Sequence, residues 1–254
     1  MRDIKKEILE KIEEIEAKED VRVLYAVESG SRAWGVESPD SDYDVRFIYM
    51  RPKDDYLRLD EKRDIIEWQL DDVLDINGWD IKKTLIQFHR GNATLFEWAI
   101  SPVVYKTTRI WEEIYEDCRQ YFSRKAALCH YYGTAKSTYE QYLTQEQVRY
   151  KKYIYALRPL LACKYIEENG TVPPVRFEEL LGQKLADGLY DEIMKMLAIK
   201  AQSDEKALNP RMVRIHKYIE NEIAKYAALS QATEEDRNAD WTVLNRIFRK
   251  ICVG

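Results

Sequence analysis

The chain has 254 residues, with 40 Lys plus Arg against 45 Asp plus Glu and a formal net charge of −5. This acidic balance excludes a surface coated with positive charge for nucleic-acid binding, so any phosphate site must come from a local cluster of cations. A hydrophobic fraction of 45% beside 33% charged residues is typical of a folded soluble protein and argues against disorder.

Membrane segments and disulfides are not expected. No apolar run approaches the roughly 18 residues that would span a bilayer, and residues 1–20 show no signal-peptide apolar stretch. The cysteines are far apart and form no CxxC pair, which favours reduced, mostly buried thiols in a cytoplasmic protein over a disulfide framework or a zinc site. These cysteines are Cys118, Cys129, Cys163 and Cys252.

The N-terminal half mixes helical and strand patterns. Apolar residues at helical spacing predict a helix over 1–20, and the alternation that follows predicts a strand ending at Gly30. After a loop, further strands are predicted at 43–50, 64–70 and 73–77. The last two are expected to form a hairpin that turns at Asp71-Asp72. Helices are then predicted between Asp80 and Gly91 and over 94–100.

From about Trp111 the strand-type alternation disappears. Long helices are predicted at 111–145, 146–168, 176–201, 209–229 and 240–252. The sequence therefore predicts an α/β (α+β) N-terminal domain over 1–110 and an all-helical domain over 111–254.

The segment GSRAWGVESPDSDYDV, residues 30–45, combines features suited to phosphate chemistry. Gly30-Ser31 lies where a strand turns into a helical turn, and a small residue there lets backbone N–H groups approach a phosphate. Asp42 and Asp44 are two apart on a predicted strand, so both carboxylates point to one face while Tyr43 points to the other. Neighbouring carboxylates repel each other unless a cation lies between them, and Mg²⁺ favours such oxygen ligands.

Each feature alone has an ordinary explanation, because a Gly-Ser pair is usually a turn and an Asp-x-Asp is usually a solvated strand end. Together they resemble the signature of the polymerase-beta-type nucleotidyltransferase superfamily, carried by GSRAWGVESPDSDYDVRFIY. Within it the chain resembles the RlaP family of RNA-repair-associated nucleotidyltransferases. The similarity extends over most of the chain, through LDINGWDIKK, GNATLFEWAISPVVY, KKYIYALRPLLA and PPVRFEELL.

The resemblance implies a fold and a catalytic centre. Residues 1–110 would form a nucleotidyltransferase domain, a small mixed sheet with helices on one side, and 111–254 would complete the nucleotide and substrate cleft. Asp42 and Asp44 would bind two Mg²⁺ ions, and Gly30-Ser31 would hold the β and γ phosphates. A third catalytic and metal-binding carboxylate is expected.

Three residues compete for this third position. We favour Asp75, in the setting Leu74-Asp75-Ile76. Asp80 is the main rival, although its place before Ile81 suits a helix cap, and Glu67 is a weaker candidate.

The nucleotide-binding side chains are less sharply indicated. Arg32 is expected either to reach a phosphate or to pair with Glu37 or Asp40 on the surface. Arg46 follows on the strand face of Asp42 and Asp44, where it would neutralise their charge or contact nucleic acid.

The resemblance also places nucleotide contacts in the helical half. Lys151 or Lys152 would meet the triphosphate and Tyr155 would stack on the base or ribose. The alternative is a solvated basic helix face with a buried tyrosine, and Arg158 is expected on the face of Lys151 and Tyr155.

The expected activity is magnesium-dependent transfer of a nucleoside monophosphate from an NTP, with ATP as the expected donor, to a hydroxyl. The expected acceptor is an RNA end, including tRNA. Two alternatives remain: AMP transfer to a protein partner, as in toxin–antitoxin relatives, and a non-catalytic nucleotide-binding module.

Overall fold

A computed structural model describes residues 3–38, 41–69, 73–202 and 207–253. The chain divides into two compact units, the first made of Met1–Phe122 with Arg237–Gly254 and the second of Ser123–Asp236. The first boundary between the units therefore lies between Phe122 and Ser123, instead of near residue 110. The last helix of the chain belongs to the first unit.

The first unit contains a five-stranded mixed sheet in the order β3-β4-β2-β1-β5. Its strands are β1 (Arg22–Ser29), β2 (Tyr43–Met50), β3 (Ile65–Gln69), β4 (Leu74–Asp80) and β5 (Val104–Thr107). Strands β2 and β4 run parallel, and all other neighbours run antiparallel. The small mixed sheet is as expected, and β3 pairs with β4 as in the predicted hairpin, whose turn at Asp71-Asp72 lies outside the described residues.

Seven helices and one 3-10 turn are described in the first unit. They are α1 (Ile4–Glu19), α2 (Gly30–Trp34), α3 (Lys53–Tyr56), α4 (Ile81–His89), α5 (Ala93–Ala99), α6 (Arg109–Cys118), the turn Arg119–Tyr121 and α12 (Thr242–Val253). The last of these is numbered by its place in the whole chain.

The two faces of the sheet are both covered by helices, not one face as expected. On one face, Ile8, Ile12 and Ile15 of α1 pack against a core that includes Val45 and Phe47. On the other face, the ring of Tyr25 stacks on that of Trp111 in α6, with 4.7 Å between the ring centres. The rings of Trp79 and Trp98 of α5 also pack together, with their centres 4.5 Å apart. A strand covered on both faces is buried at nearly every residue, which is why β1 is buried from Val23 to Glu28.

Helix α12 belongs to the first unit because aromatic contacts hold it there. The ring of His89 at the end of α4 stacks on that of Trp241, with 3.6 Å between the ring centres. Tyr56 contacts Phe248 edge-on, with 5.2 Å between the ring centres. The Tyr121 hydroxyl also donates to the carbonyl of Asp240 at 2.7 Å.

The second unit is built from helices and one short strand pair. The helices are α7 (Arg124–Tyr142), α8 (Tyr150–Asn169), α9 (Phe177–Leu181), α10 (Leu189–Gln202) and α11 (Val213–Ala232). Strands β6 (Gln147–Val148) and β7 (Asn209–Pro210) pair antiparallel.

Two of the predicted long helices are interrupted. The helix predicted over 111–145 breaks at Ser123, whose Oγ accepts from the backbone N–H of Ala126 as an N-cap of α7. The helix predicted over 176–201 is divided into α9 and α10, with Gly182 and Gly188 in the intervening segment. Within the described residues, no helix is long and apolar enough to cross a membrane.

The four cysteines carry free thiols, but they are not uniformly buried. Cys118 and Cys163 are buried, Cys252 is half-buried and Cys129 is exposed. Burial raises the pKa of the Cys118 and Cys163 thiols, which keeps both protonated at neutral pH.

Asp80 caps α4, and its replacement tests this role. Its Oδ1 accepts from the N–H of Lys82 at 2.7 Å and its Oδ2 accepts from the Tyr56 hydroxyl. Asp80→Ala is expected to lower the free energy of unfolding by about 1–2 kcal/mol, whereas Asp80→Asn keeps the cap and changes it little. Urea unfolding measures both, and an Asp80→Ala variant as stable as the wild type would contradict the assignment.

The same carboxyl predicts a pH effect. Burial raises the pKa of Asp80 above its usual 3.8, so the native state binds this proton more tightly than the unfolded chain. The stability of the wild type relative to Asp80→Asn should therefore rise as pH falls from 7 towards 4. Paired urea curves at several pH values give this difference, and a constant difference would contradict the expectation.

Candidate active site

The Gly-Ser bend connects β1 to β2 through the five-residue helix α2. Gly30 opens α2 with φ of 61°, in the left-handed region that favours glycine. A Cβ on Gly30 would lie 2.2 Å from Asp44 Oδ2, so the missing side chain is what allows Asp44 to approach the bend. The side chain of Ser31 is buried beside it.

Asp44 and Asp75 lie side by side because their strands are parallel neighbours with Asp44 paired to Asp75. Arg46 bridges them: its Nη2 is 3.1 Å from Asp44 Oδ1 and 2.9 Å from Asp75 Oδ2. The aspartate side chains are 33% and 45% exposed, so a ligand in solution can reach both. Arg46 thus offsets part of the negative charge of the pair, which is one of the two roles expected from the sequence.

Asp42 does not lie on the strand. It precedes β2, its side chain is exposed and its carbonyl oxygen accepts from Arg32 Nε at 3.1 Å. Its charge nevertheless acts on Asp44. Burial raises the pKa of Asp44, the Asp75 and Asp42 charges raise it further, and Arg46 opposes them.

Arg32 holds the loop before β2. Its guanidinium donates to the carbonyl oxygens of Ser41 at 2.6 Å and Asp42, and it lies 3.7 Å from the centre of the Tyr43 ring. These contacts differ from the surface pair expected with Glu37 or Asp40, of which Asp40 lies outside the described residues. Arg32 therefore fixes the chain that presents Asp42.

The two other candidates for the third carboxylate, Asp80 and Glu67, make contacts that do not involve Asp44. Asp80 lies five residues further along β4, about 16 Å away at strand spacing, and is engaged in capping α4. Glu67 of β3 is paired with Asn77 in the ladder, and its Oε2 contacts Arg63 at 3.2 Å. Of the three carboxylates, Asp75 is the one that shares a guanidinium with Asp44.

Lys151, Lys152 and Tyr155 belong to the second unit, on α8. Lys152 Nζ lies 3.8 Å from the centre of the Tyr142 ring and 5.4 Å from that of Tyr155. Burial lowers the pKa of Lys152, and the neighbouring charges of Lys151 and Arg149 act in the same direction. All three predicted side chains are partly exposed.

Arg158 departs from the expected basic face. It is buried and its Nε donates to the carbonyl oxygen of Val175 at 3.2 Å, so it serves the packing of the second unit.

Comparison with known proteins identifies the family. The family model described as RlaP, RNA repair pathway DNA polymerase beta family, matches residues 4–250. The chain is also 39% identical over 247 residues to a protein of Bacillus subtilis (strain 168) described as "Uncharacterized protein YcgL", covering 96% of this chain and 95% of that protein. The chain belongs to the RlaP family.

As a member of the RlaP family, the chain is a nucleotidyltransferase with a nucleoside triphosphate as substrate. Enzymes of the polymerase-beta type generally use divalent metal ions, for which carboxylate oxygens are suitable ligands. Within residues 3–38, 41–69, 73–202 and 207–253, no three His, Cys, Asp or Glu side chains are grouped as a metal site would require. The Asp44–Asp75 pair nevertheless fits a divalent cation, because both groups offer hard oxygen donors and already share the positive charge of Arg46.

Glu28 adjoins the candidate site, although no sequence motif pointed to it. It is 1% exposed, yet its Oε1 accepts the N–H of Asp44 at 2.7 Å and its Oε2 accepts the hydroxyl of Tyr105. Burial raises the pKa of Glu28, and these two hydrogen bonds oppose the rise. The available signal was a carboxylate inside an otherwise apolar strand, VLYAVES, directly before the bend.

Replacing Gly30 tests the bend. Gly30→Ala adds a Cβ at a positive φ and against Asp44 Oδ2, so it is expected to cost about 1–2 kcal/mol of stability and to abolish binding of Mg–ATP. Gly133→Ala is the matched control, because a Cβ at this helical glycine meets nothing within 4 Å and should stabilise by about 0.5–1 kcal/mol. Urea unfolding and a fluorescent ATP analogue measure both effects, and unchanged binding by Gly30→Ala would contradict the geometry.

Proposed function

We propose that this protein transfers a nucleoside monophosphate from a nucleoside triphosphate, with ATP as the donor, to a hydroxyl at an RNA end, tRNA included. The proposal is supported above all by the pairing of Asp44 with Asp75 beside Gly30, together with the family's description as an RNA repair pathway family. The reaction is proposed to depend on two Mg²⁺ ions and to release pyrophosphate.

Asp42, Asp44 and Asp75 are the proposed metal ligands. When bound, Mg²⁺ would stabilise the negative charge on the attacking and leaving oxygens. Arg46 holds the Asp44 and Asp75 carboxylates in its absence, which limits their mutual repulsion. Asp44 is pressed against the bend and is therefore the ligand whose position is most closely fixed.

The proposed transfer forms one bond and breaks one. The acceptor oxygen bonds to the α phosphorus, the bond from this phosphorus to the oxygen that bridges to the β phosphorus breaks, and pyrophosphate leaves. Asp75 takes the proton of the hydroxyl, since it is the more exposed carboxylate of the bridged pair.

The remaining proposed roles concern the nucleotide. Backbone N–H groups at Gly30 and Ser31 would hold the β and γ phosphates, and Arg32 supports this segment through Ser41 and Asp42. The resemblance assigns Lys151 and Lys152 to the triphosphate and Tyr155 to the base or ribose. The proximity of Lys152 to Tyr142 and Tyr155 supports an aromatic and cationic surface suited to this role.

The direct test is incubation of purified protein with α-labelled NTPs, Mg²⁺ and RNA. Labelled RNA is expected, and γ-labelled ATP should leave the RNA unlabelled because the γ phosphate leaves with pyrophosphate. Asp42→Ala combined with Asp44→Ala should abolish labelling, and labelling that survives this double change would remove both residues from the mechanism. Labelled protein in place of RNA would select AMP transfer to a protein, and nucleotide binding without turnover would select a binding module.

Single replacements separate Asp75 from its rival Glu67. Asp75→Asn is expected to lower the transfer rate by roughly 10²–10⁴-fold, the usual effect of losing a general base. Glu67→Gln, on the neighbouring strand, is the matched control and should leave the rate within about twofold. Initial rates at saturating ATP measure both, and the reverse order of effects would assign the role to Glu67.

A further inference from the structure

The buried carboxylate of Glu28 lies directly behind the proposed catalytic centre. With 1% exposure it cannot touch substrate, but it reaches the backbone of the strand that carries Asp44. Asp44 N–H donates to Glu28 Oε1 at 2.7 Å. The ladder partner of Asp44 is Ser29, the last residue of β1, so a side chain satisfies this amide at the point where the sheet ladder ends.

Glu28 is itself held on several sides. The Tyr105 hydroxyl of β5 donates to its Oε2, and the Ser101 hydroxyl donates to its carbonyl oxygen at 2.6 Å. Its own N–H donates to the carbonyl oxygen of Val103 at 2.9 Å. A carboxylate anchored in this way links β5 and β1 to the first residues of β2.

This anchor matters because Asp44 has little freedom. Its carboxylate already lies where a Gly30 side chain would be, so a small displacement of its backbone moves the carboxylate against the bend or away from Asp75. Groups that support metal ligands from behind typically change metal affinity by 10–100-fold when removed.

We propose that Glu28, held by Tyr105, is a positioning residue that fixes the backbone of Asp44 for binding of a divalent cation with a nucleoside triphosphate. This role rests on the proposed function, in which Asp44 is a metal ligand. It requires the hydrogen bond to Asp44, not the charge of Glu28.

The test measures binding of Mn²⁺ in the presence of α,β-methylene ATP, from the electron paramagnetic resonance signal of free Mn²⁺, with the full chain. Glu28→Ala is expected to weaken Mn²⁺ binding 10–100-fold. Glu28→Gln should remain within about threefold of the wild type, because its amide oxygen can still accept from Asp44 N–H. Wild-type affinity in Glu28→Ala, or equal weakening in both variants, would overturn the proposal.

Two controls separate this role from simple loss of stability. Val23→Ala removes buried core volume at the far end of β1 and should lower the melting temperature without changing Mn²⁺ affinity. If Glu28→Ala does not fold, Tyr105→Phe takes its place and should weaken Mn²⁺ binding by roughly 3–10-fold. An unchanged Mn²⁺ affinity in Tyr105→Phe would then overturn the proposal.

Asp44→Asn distinguishes the two levels of inference. If it retains wild-type Mn²⁺ affinity, the proposed metal site itself fails. If it loses affinity while Glu28→Ala does not, the metal site stands and only the positioning role of Glu28 is overturned.

Discussion

The ion bridge from Arg46 to Asp44 and Asp75 is the interaction on which the site depends. The parallel register of β2 and β4 places Asp44 and Asp75 side by side, and two like charges on neighbouring strands repel each other. Arg46 offsets this repulsion from the next residue on the same strand face. In the proposed function, a bound divalent cation would offset the same repulsion.

The same strands are polar at one end and aromatic at the other. One rung of the sheet joins Ser29, Asp44 and Asp75, while a rung further along joins Tyr25, Ile48 and Trp79, with helices packed over it. The covered rung gives the sheet its core, and the uncovered rung leaves carboxylates accessible. The position along the strand therefore decides whether a residue serves folding or chemistry.

The elements that depend on local sequence patterns are well predicted from the sequence. The helical spacing of α1, the alternation of β1 and the cap at Asp80 all predicted the observed elements, because each depends on contacts within a few residues. The motif predicted Asp42 and Asp44 as ligands, and the family resemblance implied a third carboxylate, for which the setting Leu74-Asp75-Ile76 favoured Asp75. The pairing of Asp44 with Asp75 could not be derived from spacing.

The errors concern contacts between distant residues. Strand β5 is four residues long and carries no clear alternation, so its pairing with β1 left no sequence signal. The break at Ser123 is stabilised by Asp236, whose carboxylate accepts from the Ser123 hydroxyl 113 residues away. The contacts of Glu28 with Asp44 and Tyr105 leave no sequence signal, because both partners are separated from it in the chain and meet it only in the folded sheet.

The second unit is an insertion in the sequence of the first, because residues 123–236 lie between its two parts. The hydrogen bond between Ser123 and Asp236 joins the two ends of this insertion. During synthesis on the ribosome, all 114 residues of 123–236 emerge before α12, which the sheet-bearing unit needs to cover α4 and α6. The packing of the first unit on α4 and α6 can therefore be completed only after the whole inserted unit has been synthesised.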